Sequence, residues 1–141
     1  METLGALKEH TLKVRDEVSP DNQPYAIGLR LSADAARELL EGDNLPSFKA
    51  WLSEHGCYVF TINGFPYGSF HGTRVKENVY RPDWSSPDRL LYTNSLFDII
   101  AQLAPEGVEG SVSTLPGSFK SFEADESAIF EHLEACARHI E

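Results

Sequence analysis

Cys57-Tyr58-Val59-Phe60-Thr61-Ile62-Asn63 is the clearest strand in the sequence: β-branched and aromatic residues dominate it, and Gly56 and Gly64 close its two ends. Upstream, Tyr25 to Leu31 reads the same way, short, apolar and preceded by the turn residues Ser19-Pro20-Asp21-Asn22. Helical pattern fills the gap in two pieces. Ser32 supplies a cap and Asp34 a first-turn acid, Gly42 stops the first piece, and Pro46 opens a second whose buried face is Phe48, Trp51 and Leu52. Ahead of the first strand, Leu4, Leu7, Thr11, Val14 and Val18 keep the spacing of one helical face. Downstream, Ser86-Pro87-Asp88 begins a helix whose inward stripe is Leu90, Thr93, Phe97, Ile100 and Ala104, ended by Pro105-Glu106-Gly107. Val108 to Leu115 is a third strand, diluted by Gly110, Ser111 and Ser113. A last helix from about Ala124 buries Ile129, Leu133, Cys136 or Ala137, and Ile140.

The order αβαβαβα predicts an α/β chain of three parallel strands and four helices, the second in two pieces, joined by right-handed crossovers. Its 141 residues suit one domain, 1–141. Three strands do not finish such an architecture, and a chain that starts and stops on helices is expected to belong to something longer. Hydrophobic residues at 41%, charged residues at 24% and aromatics at 11% provide a core and argue against disorder. A net charge of -10, with 12 basic residues scattered along the chain, argues against nucleic acid as a partner. No run of apolar residues reaches membrane-spanning length, and Met1 to His10 is unlike a signal peptide, so a cytoplasmic protein not embedded in a membrane is expected. Cys57 and Cys136 match no metal or redox spacing and read as two buried thiols.

In βα folds, ligands bind at the carboxyl ends of the strands. The first end offers Arg30, whose guanidinium could clamp a carboxylate, a phosphate or polyol oxygens, or equally make an internal ion pair. At the second end, Asn63 opens a connection over residues 64–85, a length that is usually functional when it is ordered. Phe65, Tyr67, Phe70, Tyr80 and Trp84 are costly to leave in water, so this segment is expected to close over the strand ends as a lid. His71 is the lid's one group titrating near neutrality and is the candidate catalytic residue, with Tyr67 beside it as a candidate substrate contact. Lys76, Glu77 and Arg81 read as solvated charges. Ser113 and Thr114 at the third end suit a polar small molecule. His132 and His139 share a face of the last helix and read as solvated or capping groups, and Glu123, Asp125 and Glu126 suit that helix's start. Nucleotide, P-loop, zincin and nucleophile-elbow motifs are absent.

The stretch TINGFPYGSFHGTRVKENVYRPDW, with AIGLRLSADAARELL upstream and GSVSTLPGSFKSF downstream, resembles the metabolite-traffic protein EboE family of the xylose isomerase-like TIM-barrel superfamily. The resemblance spans nearly the whole chain. It implies a partial (β/α)8 TIM barrel, a small sugar-like or otherwise polar metabolite, a cytoplasmic setting and contact with membrane-associated traffic partners. It also implies a divalent metal in complete members, with ligands on later strands that this chain lacks. Asn63 and His71 match the family's loop motif. Three readings stay open: isomerase-type proton transfer with Arg30, Asn63, Tyr67 and Ser113 holding substrate, a non-enzymatic carrier or scaffold, or an inactive remnant.

Overall fold

The computed structural model describes residues 5–19, 23–68 and 77–141. Among these, a π-helical turn, Leu7–Thr11, runs into α1 (Leu12–Val18), and the chain continues through β1 (Tyr25–Arg30), α2 (Ala33–Leu40), α3 (Asn44–Glu54) and β2 (Cys57–Asn63). After the long connection come α4 (Pro87–Leu103), β3 (Ser111–Ser113) and α5 (Glu126–His139). The three strands are parallel and lie in chain order, β1-β2-β3, which makes this a mixed α/β chain. Among the described residues the α-helices number five, because the two expected pieces are separate helices: Gly42 at φ 54° takes the chain into left-handed backbone and ends α2 outright. Helix starts follow the capping chemistry of the sequence: Ala35, Asp88 and Ser127 N–H groups donate to the side chains of Ser32, Ser86 and Asp125.

The helices cover one face of the sheet. Ile27, Leu29 and Leu31 from β1 and its end, with Val59 and Ile62 from β2, form a continuous core with Leu39, Phe48, Leu52, Leu96 and Ile99 from the helices. Alternation in β1 leaves Ala26, Gly28 and Arg30 on the opposite, open face. In β2 the alternation slips once. Ile27 pairs with Val59 but Gly28 pairs with Thr61, so Phe60 is an extra residue bulged out of the ladder and 40% exposed. The slip lets both Val59 and Ile62 bury at 0% exposure and turns Asn63 to the open face.

Several sequence expectations are corrected. The third strand is three residues, Ser111–Ser113, not Val108 to Leu115, and it pairs with Thr61 to Asn63 at the end of β2. The buried residues of α4 are Arg89, Tyr92, Thr93, Leu96, Ile99, Ile100 and Leu103, a stripe turned by about one position from the expected one. Leu90 and Phe97 face a second cluster built on Trp84, Leu115 and Cys136, so α4 serves two cores. In α1, Val14 and Val18 are 49% and 63% exposed: the segment docks through Leu7 and through Arg15, whose guanidinium donates to the His55 carbonyl. In α5, Cys136 is buried and Ile129 packs beside it as expected, but Leu133, and Ile140 just past the helix end, are exposed. His139 Nε2 meets Asp98 Oδ1 and His132 Nδ1 meets the Trp84 carbonyl, each at 2.8 Å. The two cysteines are free and buried as expected.

Gly64, which follows β2, has no room for a side chain: a Cβ there would lie 2.5 Å from Leu96 Cδ1 and 2.9 Å from the Ser113 carbonyl oxygen. Gly64→Ala should therefore cost about 1–3 kcal/mol, read as a lower urea midpoint at unchanged slope.

Candidate functional site at the carboxyl ends of the strands

The parallel register pairs Arg30 with Asn63 and Asn63 with Ser113, so the last residues of β1, β2 and β3 form one row across the sheet. All three are exposed on the open face. Asn63 Oδ1 accepts the Phe65 N–H at 3.0 Å and the Ser113 hydroxyl at 3.4 Å, which leaves the Asn63 amide nitrogen outward as a donor. One layer further back, Ser111 Oγ donates to Thr61 Oγ1 at 2.8 Å. With the Arg30 guanidinium at one end, the row presents the donors of Arg30 and of the Asn63 amide and one positive charge, the Ser113 hydroxyl being turned to Asn63, chemistry that recognises carboxylate, phosphate or polyol oxygens.

Tyr67 is not part of this row. Its carbonyl accepts the Ala33 N–H at 2.8 Å, and its ring meets Tyr92 edge-on at 5.1 Å. It thus stands in the helix layer, lining a groove of about 390 Å³ with Ala36 and Leu40 of α2 and Leu91 of α4. Local sequence could not place it, since the choice between the two faces is made by where the chain turns after Gly64. His71, like Lys76, lies outside the described residues.

The arms of the long connection are held by residues the sequence reading missed. Arg89 is fully buried, its Nε donating to the Pro82 carbonyl at 2.9 Å and Nη1 to the Gly64 carbonyl at 2.8 Å. One guanidinium thereby pins both ends of the segment between β2 and α4. Burial pulls its pKa down, and the Tyr92, Tyr67 and Asp83 side chains oppose that shift. Nη2 has no partner among the described residues, and the guanidinium carbon lies 5.8 and 5.4 Å from the ring centres of Tyr67 and Tyr92. Tyr92 donates its hydroxyl to the Leu31 carbonyl at 2.5 Å, and burial pushes its pKa up to about 12. A signal for Arg89 did exist: its position, three before Tyr92 and seven before Leu96, continues the true apolar stripe, but a charge at the end of a stripe reads as a boundary.

A second tie joins this connection to the one after β3. Trp84, 1% exposed, donates its ring N–H to Thr114 Oγ1 at 3.1 Å and its backbone N–H to the Gly117 carbonyl at 2.9 Å. The Asp83 carboxylate, 8% exposed, accepts the hydroxyls of Ser118 and Ser85 and the Ser85 N–H. Burial acts to raise its pKa, but the bonds from Ser118 and Ser85 and the charge of Arg81 outweigh burial and hold it below the usual carboxylate value.

The divalent metal implied by the resemblance does not fit the row, whose members are a cation and donors and whose amide oxygen is already engaged. Among the described residues, no group of three or more His, Cys, Asp or Glu side chains gathers closely enough to hold a metal ion. No helix among them is long and apolar enough to cross a membrane. In comparison with known proteins, no family model, curated protein or solved structure matches the chain.

Two outcomes follow. Arg89→Met should lower stability by about 2–4 kcal/mol, since two charge-assisted bonds to backbone carbonyls vanish and both carbonyls are left unpaired; chemical denaturation measures it. For Asp83, a folded pKa below the unfolded one means its stabilisation is present above the ordinary carboxylate value and lost as pH falls through the lowered one. Asp83→Asn should therefore melt below the wild type at pH 7, and the gap should close as the pH is taken below the ordinary carboxylate range.

Proposed function

We propose that the chain forms part of a xylose isomerase-like (β/α)8 TIM barrel, similar to the EboE family, and binds a small oxygen-rich metabolite at the strand ends. The row of Arg30, Asn63 and Ser113 on three consecutive parallel strands carries this reading. Strands in chain order, with helices on one face and an open opposite face, support a barrel segment over a doubly wound sheet, which carries helices on both faces. In this reading Arg30 clamps an oxyanion or paired hydroxyls, while the Asn63 amide and the Ser113 hydroxyl orient the neighbouring oxygens. His71, one residue before Gly72 in the connection after β2, takes and returns a proton beside the substrate carbonyl. A cytoplasmic setting goes with this role.

The row also supports a second reading, a carrier that hands its metabolite to membrane-associated partners, because guanidinium, amide and hydroxyl bind at neutral pH without exchanging protons. Calorimetry with D-xylose, xylose 5-phosphate and inorganic phosphate tests the site. At least one should bind saturably, and Arg30→Ala should weaken it about tenfold or more, or 1.4 kcal/mol. Absence of binding by all three, or indifference to Arg30, removes the site. Mass spectrometry of the bound sugar separates the two roles: conversion that falls about 100-fold or more in His71→Ala supports the isomerase, and binding without conversion supports the carrier.

A further inference from the structure

Four aromatic rings form an unbroken chain beside the donor row. Phe65 meets Tyr80 edge-on with centroids 5.2 Å apart, Tyr80 meets Phe119 at 5.0 Å, and Phe119 meets Phe122 at 5.5 Å. The Arg81 guanidinium sits 3.9 Å over Phe122 and closes the far end. The near end is joined to the row, because the backbone N–H of Phe65 is the group that donates to Asn63 Oδ1.

These rings are not the buried filling of the second cluster. Trp84, Leu115 and Cys136 hold that place at 1%, 2% and 6% exposure, whereas all four rings are half-buried and keep part of their surface in solvent. They come from two different connections, Phe65 and Tyr80 after β2, Phe119 and Phe122 after β3. The Trp84–Thr114 and Asp83–Ser118 bonds clamp those connections together, so the rings are held as a preformed surface. Aromatic surface held open to water by a rigid frame, next to polar groups converging from strand ends, is the composition of a small-molecule pocket.

From this we infer that the site takes a flat, ring-bearing metabolite with an oxyanion: the oxyanion meets the Arg30 guanidinium and the Asn63 amide nitrogen, and the ring stacks on the Phe65–Tyr80–Phe119 wall. This rests on the proposed role of the donor row and adds the ring to it. Offset stacking suits the wall, whose neighbouring rings are tilted by 41° to 78° and so present both faces and edges.

Methyl phosphate and phenyl phosphate share the anionic head and differ in the ring, so their affinities for the full chain separate the two parts. Phenyl phosphate should bind about tenfold more tightly or better, by calorimetry, and Phe119→Ala should erase that advantage while leaving methyl phosphate unchanged. Phe119→Leu keeps apolar bulk but has no π face, so it should also lose the advantage while melting like the wild type. Arg30→Ala should weaken both probes alike. Equal binding of the two phosphates with Arg30 still required overturns the ring subsite and leaves the donor row standing. A phenyl advantage that survives both Phe119 variants also overturns it. Failure of both probes to bind overturns the inference together with the reading of the row.

Discussion

The open face of the sheet depends on one displaced residue. A β-strand turns successive side chains to opposite faces, so Val59 and Ile62, three apart, cannot both point at the helices unless the period is broken between them. The bulge at Phe60 breaks it. The reward is two fully buried aliphatic side chains in the middle of the core, worth roughly 1.5–3 kcal/mol each. The same half-turn sends Asn63 outward to meet Arg30 and Ser113. Core packing and the donor row are thus set by a single event, and Gly28, whose Cβ would lie 3.3 Å from Thr61 Cγ2, leaves room on the neighbouring strand.

Beyond the strand ends, polar side chains do what apolar burial does below them. The connection between β2 and α4 is too long to be fixed by its own backbone bonds, and its ends are instead tied to α4 by Arg89. Its later arm is tied to the connection after β3 by Asp83 and Trp84, and Trp84 in turn binds α5 through His132. Each tie is at least partly buried, where the loss of one partner leaves the other unsatisfied. The aromatic wall follows from this arrangement: two segments with no ladder between them are held at contact distance, and their rings touch.

Much of this could be read from the residues alone. The β-branched content and flanking glycines of β2 matched its observed bounds, Cys57–Asn63, and Ser32 and Ser86 capped the helices they were expected to cap. Arg30, Asn63 and Ser113 were named because strand ends are where βα folds bind ligands, and the register puts them in one row. Tyr67 was named with them and stands in the helix layer. The inward face of α4 differs from the expected one because a buried Arg89 continues its apolar stripe, and that of α5 because a half-buried His132 reaches the Trp84 carbonyl while Leu133 is exposed.

What the sequence determined is whatever depends on neighbours along the chain: which segments extend or coil, where they stop, and which residue types stand at each strand's end. Periodicity, capping and turn chemistry are local, and they leave their mark within a few residues. Only the tertiary structure decided the bulge at Phe60, the burial of Arg89 and the meeting of Tyr80 with Phe119. Each of these trades a local cost, a broken ladder, a desolvated charge or two ordered connections, against contacts with residues distant in the chain, and no short window of sequence contains both sides of that balance.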